Sequence, residues 1–269
     1  MMAARSMKSR LVAGMVGALM LGAGGTGSWA AGGDVHLPEQ EWSFDGIFGH
    51  FDRAELQRGL QVYLAVCANC HGLEYVAYRD LGDIGYDEDQ IKAIAAQYDV
   101  LAGPNEDGEV LDEDGEFLTR PALPADRFVS PYPNDKAAAA INGGAVPPDL
   151  SLMYKARADG ANYMYALLTG YLDEPPEDFE LVGGLSYNAY FPGHQIAMPP
   201  PLYGDDVEYA DGTEATIEQE ARDVTAFLAW AAEPNLEKRK NMGLTVMLFL
   251  IVMTGLFYAS KRKIWRDQH

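Results

Sequence analysis

The sequence predicts a mainly α-helical domain with long loops, followed by one C-terminal transmembrane helix. Apolar residues recur at helical spacing in several stretches, and the segments between them are rich in proline, glycine and acidic residues. Near the C-terminus, residues 241–260 form a run of 20 residues without a charge. These observations divide the chain into an N-terminal segment, a domain over residues 31–237, the membrane segment, and a tail over residues 261–269.

Residues 1–30 have the features of a secretory signal peptide. Three basic residues lie between positions 5 and 10, and the 13-residue apolar run Leu11–Ala23 is too short to span a bilayer. Ser28 to Ala30 provides a small-x-small cleavage site. An uncleaved N-terminal anchor is the alternative interpretation. Export predicts that the domain over residues 31–237 is periplasmic.

The first helix of the exported domain is predicted from Arg53 to Val66. Asp52 is placed to cap it, and Glu55 is placed to complete a reciprocal capping pair. Apolar residues at i, i+4 and i+7 give the helix one buried face. That face consists of Leu56, Leu60 and Tyr63.

This helix leads directly into Cys67-Ala68-Asn69-Cys70-His71, which contains both cysteines of the chain. The pattern C-x-x-C-H is the attachment signature of one covalently bound c-type haem. The thiols of Cys67 and Cys70 join the porphyrin vinyl groups, and His71 is then placed to ligate the iron. A redox dithiol is a weaker interpretation because the pair follows a helical pattern, and a zinc site lacks a second ligand pair.

Further along the chain, a helix is predicted from Glu88 to Tyr98 and a long loop from Gly103 to Asp135. Seven acidic residues fall within eleven positions of that loop. They are Glu106, Asp107, Glu109, Asp112, Glu113, Asp114 and Glu116. Two interpretations remain open, a docking surface for a basic partner or a solvated loop without a specific role. Pro147 and Pro148 then require an extended backbone.

Two more helices are predicted before the membrane segment. The first spans Asn162 to Tyr171, and its small and apolar residues suit packing against the first helix. The second spans Ile217 to Ala232, with Thr216 as its N-cap and Pro234 ending it.

The uncharged run Asn241–Ser260 is long enough, at roughly 30 Å, to cross a bilayer as a helix. Four basic residues lie in the following tail, which favours a cytoplasmic location for residues 261–269. Three basic residues at 238–240 weaken that charge argument, so the orientation depends mainly on the signal peptide. The prediction is a single-pass protein of the bacterial inner membrane.

The charge distribution excludes a nucleic-acid role. Between Ala31 and Glu237 there are 10 Lys and Arg residues against 39 Asp and Glu residues. No basic patch for phosphate groups is present, whereas a basic protein partner suits this acidic domain.

A sixth ligand for the iron is sought among the eleven methionines, because a thioether stabilises ferrous iron. Five lie in the signal region and three in the membrane segment, which leaves Met153, Met164 and Met198. Met164 fits a packing role within a helix, and Met153 stays open. Met198 is the best candidate because the three following prolines restrict its loop. His194 is the competing ligand, and nothing local supports His36 or His50.

Taken together, these stretches resemble the cytochrome c1 family, in order and through nearly all of the exported chain. The resemblance rests on Arg58-Gly59-Leu60-Gln61-Val62-Tyr63 before the haem motif, Tyr75-Val76-Ala77-Tyr78-Arg79, Gly103-Pro104-Asn105-Glu106-Asp107-Gly108, Pro147-Pro148-Asp149-Leu150-Ser151, Leu168-Thr169-Gly170-Tyr171, Asn188-Ala189-Tyr190-Phe191-Pro192-Gly193 and Ala231-Ala232-Glu233-Pro234.

The resemblance implies a c-type cytochrome domain held at the membrane by one helix, with His71 and Met198 as the axial ligands of the iron. It assigns Arg157 and Tyr163 to the haem propionates. Other haem contacts implied by the resemblance are Asn142, Pro147, Pro148, Leu167, Leu168, Phe191 and Ile196.

The implied function is electron transfer within the quinol-cytochrome c reductase of a respiratory or photosynthetic chain. The family receives one electron from a Rieske iron–sulfur protein and passes it to a c-type cytochrome, here expected to be basic. The implied partners are cytochrome b and the Rieske subunit in a dimeric complex, in which this subunit is not catalytic on its own. A free-standing anchored electron shuttle and a haem enzyme or gas sensor are the alternatives.

Overall fold

The computed structural model describes residues 36–266, so the predicted signal peptide and the last three residues lie outside the described part. The described chain is mainly helical, as predicted. Its α-helices are α1 (Arg53–Ala65), α2 (Glu88–Ala95), α3 (Asp135–Ile141), α4 (Met153–Ala156), α5 (Gly160–Thr169), α6 (Ile217–Ala232) and α7 (Leu236–Trp265). Short 3-10 helices span Cys67–Asn69 and Tyr78–Ile84.

The predicted N-caps of α1 and α6 are present. Asp52 accepts a hydrogen bond from the backbone N–H of Ala54 at 2.9 Å, and Thr216 accepts one from Gln219 at 3.2 Å. The reciprocal contribution of Glu55 was wrongly predicted. Its side chain is buried and forms an ion pair at 3.3 Å with Arg222 of α6. A tertiary partner therefore replaces the local backbone contact.

The centre of the domain is the crossing of α1 and α6. The predicted face of α1 is buried, with Leu56, Leu60 and Tyr63 at most 1% exposed. Gly59 permits the close approach, because an added Cβ would lie 2.0 Å from the carbonyl oxygen of Asp223. Burial of these apolar side chains is the main stabilising contribution, at about 25 cal/mol per Å².

A second ion pair joins α1 to α6. Arg58 of α1 donates two hydrogen bonds of 2.9 Å to the fully buried carboxylate of Asp223. A bidentate guanidinium satisfies both carboxylate oxygens, which offsets the cost of removing the charge from water. The pair fixes the register of α1 against α6, and α1 ends directly before Cys67.

The sequence predicted that α5 packs against α1. In the structure, α5 packs mainly on α6 and α4 instead. Its buried residues are Ala161, Met164 and Ala166. Met164 therefore has the packing role that the sequence suggested. The position of α5 matters because the segment after it leads toward Met198.

The acidic segment is more ordered than a simple loop. Strands β1 (Asp99–Leu101) and β2 (Thr119–Pro121) pair in antiparallel fashion on either side of it. Between them, the side chain of Asn105 accepts from two backbone N–H groups, and Asp112 does the same in a second turn. All seven acidic residues are exposed. The carboxylates therefore lie on a loop whose turns are fixed by hydrogen bonds.

A second antiparallel pair, β3 (Ser186–Tyr187) and β4 (Gln195–Ile196), precedes Met198. After α6, the chain enters α7, whose 30 residues include the predicted membrane segment. Within residues 36–266, α7 is the helix that is long and apolar enough to cross a membrane, with a mean hydropathy of 2.1 over its most apolar window. Its apolar side chains are exposed, as a lipid-facing helix requires.

Candidate haem site

The two cysteines lie at the end of α1, in a 3-10 turn. The backbone N–H groups of Cys70 and His71 both donate to the carbonyl oxygen of Cys67, at 3.1 and 2.9 Å. Both thiols are unpaired and partly buried. Desolvation raises the pKa of the Cys67 thiol to about 12, which is opposite to the lowered pKa of a redox-active C-x-x-C pair.

His71 is held in one orientation. Its Nδ1 lies 2.7 Å from the carbonyl oxygen of Pro148, and since a carbonyl only accepts, Nδ1 carries the hydrogen. The other ring nitrogen, Nε2, is thereby left with its lone pair for a metal. Desolvation also lowers the pKa of His71, which favours the neutral imidazole that a metal requires.

Hydrogen bonds join the segment after Pro148 to the residues that follow His71. The N–H of Leu150 donates to the carbonyl of Gly72 at 2.9 Å, and Asp149 accepts from the N–H of Glu74 at 2.8 Å. Gly72 leaves room for this approach, since a Cβ there would lie 3.1 Å from the Asp149 carboxylate. The proline turn is thus fixed against the motif that it orients.

Met198 lies in a loop that is attached to the end of α5. The hydroxyl of Tyr171 donates to the carbonyl oxygen of Met198 at 3.2 Å. The buried amide of Asn188 donates to the carbonyl of Leu167 at 2.8 Å, while its oxygen accepts from the N–H groups of Tyr190 and Phe191. These bonds hold residues 188–191 and the Met198 carbonyl against the end of α5 and the residues that follow it.

Sequence reasoning did not identify Tyr171 and Asn188 as supporting residues. Both occur in stretches that carry the family resemblance, but no local pattern indicates their partners. Asn188 is fully buried, and its role depends on a residue 21 positions away in sequence. Gly170 assists, because a Cβ there would lie 2.4 Å from the ring of Tyr190.

The other predicted haem contacts are placed as follows. Seven of them are partly buried: Asn142, Pro147, Tyr163, Leu167, Leu168, Phe191 and Ile196. Pro148 is exposed and presents its carbonyl to His71. Arg157 is exposed, and its guanidinium donates to the carbonyl of Ala156.

The other candidates for the sixth iron ligand lie in different environments from Met198. The ring of His194 stacks on Tyr187 with centroids 5.8 Å apart, and its Nδ1 is buried without a hydrogen-bond partner. His194 also has a positive φ of 57°, in the left-handed region. Met153 begins α4 and packs against the hydrophobic core. His36 and His50 are both exposed.

These donors fit a covalently attached haem. Two unpaired, partly buried thiols at C-x-x-C spacing are followed by an imidazole whose Nδ1 is already bonded. When bound, the haem supplies a one-electron carrier. The fold and the site therefore define a membrane-anchored c-type cytochrome.

Comparison with known proteins gives the family. The Cytochrome C1 family model matches residues 42–268. A protein of Rhodospirillum rubrum described as "Cytochrome c1" is 50% identical over 275 residues, covering 97% of each chain. The Arabidopsis thaliana "Cytochrome c1 1, heme protein, mitochondrial" is 47% identical over 254 residues, covering 91% of this chain and 80% of that protein. The chain belongs to the cytochrome c1 family.

Family membership establishes the coarse function. The protein is a haem electron-transfer subunit of the bc1 complex, anchored in the membrane, with covalently bound haem c. A "Cytochrome b/c1" of Bradyrhizobium diazoefficiens is 46% identical over 253 residues, which cover 86% of this chain and 36% of that longer protein. Membership decides against the free-standing shuttle and the gas sensor.

Proposed function

We propose that this subunit takes one electron from a Rieske iron–sulfur protein and passes it to a basic c-type cytochrome. The observation that carries this proposal is the 2.7 Å contact between Nδ1 of His71 and the carbonyl of Pro148, next to the two unpaired cysteines. A fixed, neutral imidazole keeps the coordination of the iron unchanged when its charge changes, which suits electron transfer rather than catalysis.

Each predicted site residue has a role in this proposal. Cys67 and Cys70 attach the haem, while His71 and Met198 occupy the axial positions. Pro148 orients the imidazole, and Tyr171 holds the backbone of the methionine loop. The propionates go to Arg157 and Tyr163, since a guanidinium and a phenol satisfy a carboxylate. The remaining contacts are Asn142, Pro147, Leu167, Leu168, Phe191 and Ile196.

The methionine assignment is tested by Met198→Leu. We expect the midpoint potential to fall sharply and the ferrous protein to bind carbon monoxide, because a position at the iron opens. Met153→Leu is the matched control, since Met153 is the alternative candidate and Leu conserves its volume. An unchanged potential in Met198→Leu, or a fall only in Met153→Leu, would contradict the assignment.

The proposed topology places residues 1–30 as a cleaved signal peptide and residues 31–237 in the periplasm. Residues 241–260 cross the inner membrane, within the longer helix α7, and residues 261–269 are cytoplasmic. Support comes from the basic tail after Ser260 and from the haem chemistry, which belongs outside the cytoplasm. Protease added to spheroplasts should degrade the haem domain; a haem domain that is cleaved only after lysis would contradict this orientation.

The proposed partners are cytochrome b, the Rieske subunit and the basic acceptor, in a dimeric complex. Mild-detergent purification of the tagged protein should recover b-type haem and an iron–sulfur protein, and quinol should reduce the c-type haem. Recovery of the protein alone, with only c-type absorbance from intact membranes, would contradict the partner set.

Docking of a basic acceptor on the acidic segment is tested by charge neutralisation. The double variant Glu113→Gln/Asp114→Asn removes two exposed charges without removing the Asp112 side chain that forms the turn. We expect slower acceptor reduction and a weaker salt dependence, because complementary charges raise the encounter rate. Glu88→Gln/Asp89→Asn on α2 is the charge-matched control. Equal effects of the two variants would favour the solvated-loop interpretation.

A further inference from the structure

The first turns of α7 are bonded to the haem domain rather than joined by a loose linker. Glu237 accepts from the backbone N–H of Phe51 at 2.8 Å and forms an ion pair with Arg53 at 2.9 Å. Leu236, at the start of the helix, is buried. The membrane helix therefore enters the bilayer at a position fixed relative to residues 51–53.

One turn later, Lys240 binds the two ends of a surface loop. Its Nζ donates to the carbonyl of Phe44 at 2.6 Å and to that of Gly49 at 3.4 Å. Lys240 is the last charged residue before the uncharged run that begins at Asn241. The loop, residues 45–49, thus lies beside the point where α7 enters the membrane.

Two successive contacts place this loop against the first turns of α7. Phe51 is bonded to Glu237, whereas Gly49 is bonded to Lys240, three residues closer to the membrane segment. Three helical residues correspond to about 4.5 Å along the axis. Lys240 therefore places the base of the 45–49 loop, residues 44 and 49, at the start of the membrane segment, and the residues at its tip are exposed.

The tip carries two exposed apolar side chains on a braced turn. Ile47 is 72% exposed and Phe48 is 80% exposed. The N–H of His50 donates to the carbonyl of Ser43 at 3.0 Å, which closes the turn. Gly49 is required there, because a Cβ would lie 2.0 Å from the carbonyl of Asp45.

Phe44, at the base of the loop, is buried and stacks on Trp42 with centroids 5.5 Å apart. The buried Phe44 and the hydrogen-bonded turn therefore keep the side chains of Ile47 and Phe48 exposed at the surface of the domain. Water is an unfavourable environment for such a pair, whereas the boundary between headgroups and acyl chains accommodates it.

We propose that Ile47 and Phe48 insert into the phospholipid interface of the membrane leaflet that α7 enters. The domain then contacts the membrane at two places, the helix α7 and the 45–49 loop. A single contact would let the domain rotate relative to the bilayer, whereas two contacts fix its tilt. Lys238 also precedes the uncharged run and attracts anionic headgroups, whereas Arg239 is paired with Glu233 at 2.6 Å. A fixed tilt holds the haem at a constant height above the bilayer.

The test uses the intact complex in nanodiscs whose phospholipids carry a photoreactive diazirine near the glycerol backbone. After illumination, mass spectrometry should find lipid on the peptide that contains Ile47 and Phe48 and on α7, but not on the peptide that contains Leu101, which is exposed and lies on β1. The double variant Ile47→Ser/Phe48→Ser should lose the loop label about tenfold while α7 stays labelled.

Labelling of α7 without the loop would overturn the proposal, and absence of label on both would instead contradict membrane anchoring. A second measurement identifies what covers the loop. Phe48→Cys should react slowly with a charged maleimide compared with Leu101→Cys. Equal rates would place the loop in water, and complete protection without lipid label would place it against another subunit; either result overturns the lipid assignment.

Discussion

Substitution of Gly59 by alanine should strongly destabilise the domain. The new Cβ would lie 2.0 Å from the carbonyl oxygen of Asp223 and 2.7 Å from Cβ of Phe227. Because α6 is buried on nearly all sides, it has little freedom to move away. Relief of the overlap requires α1 and α6 to separate by about 1 Å, which weakens dispersion contacts along the whole crossing.

We expect a loss of about 3 kcal/mol in the free energy of unfolding, at the upper end of the range for overpacked cores. With an ordinary urea dependence of about 2 kcal/mol per M, the unfolding midpoint of the detergent-solubilised protein falls by about 1.5 M. Tryptophan fluorescence reports the transition, since Trp230 of α6 is buried.

Gly82→Ala is the matched control. Gly82 lies in a 3-10 helix, and its added Cβ would make only an ordinary contact of 3.7 Å with Ile91. We expect a change within about 0.5 kcal/mol for this variant. Equal midpoints for Gly59→Ala and the wild type would refute the reasoning that the α1–α6 approach depends on the missing side chain.

Three further predictions concern single side chains. Thr216→Ala removes the oxygen that accepts from the N–H of Gln219, so thermal unfolding should show a loss of about 1 kcal/mol; an unchanged Tm would mean that water replaces the cap. Burial, assisted by Asp206, raises the pKa of Glu220 from 4.5 to about 7, so its stabilising contribution is complete below pH 4.5 and lost as the pH rises through 7. Glu220→Gln stays neutral, and its Tm should therefore fall less than that of the wild type between pH 5 and pH 8; parallel curves would contradict this. Tyr171→Phe removes the hydrogen bond to the Met198 carbonyl. If Met198 is the iron ligand, imidazole should displace it from ferric haem about fivefold faster in this variant. An unchanged displacement rate would assign the rigidity of the loop to Asn188 and the prolines.

Local chemistry made several features predictable. Asp52 and Thr216 cap helices through backbone groups two or three residues away, so the starts of α1 and α6 follow from neighbouring residues. The buried face of α1 follows from the spacing of its apolar residues. Helix α3 was not predicted although it too has a local N-cap, since Asn134 accepts from the N–H of Ala137 at 3.0 Å. The pairing of β1 with β2 had no local signal, because it joins residues 18 to 22 positions apart.

The error at Glu55 has a long-range cause. Glu55 has the right spacing for a capping pair, but Arg222, 167 residues later in the sequence, competes for its carboxylate. The Arg222 guanidinium gives the buried carboxylate a charged partner, which a backbone N–H at the helix start does not. The acidic segment differs, because Asn105 and Asp112 form its turns through backbone N–H groups two and four residues away, and the pairing of β1 with β2 holds its two ends together.

By itself, the sequence determined the kind of cofactor, the number of its attachment points and the presence of a membrane anchor. A C-x-x-C-H motif and an uncharged run of 20 residues carry this information because covalent chemistry and bilayer thickness act on consecutive residues. Only the tertiary structure decided which nitrogen of His71 is free, which helix packs on Gly59, and where the 45–49 loop lies relative to α7. Those answers depend on pairs such as His71 with Pro148 and Phe44 with Lys240, which are 77 and 196 positions apart, and chain folding alone brings them together.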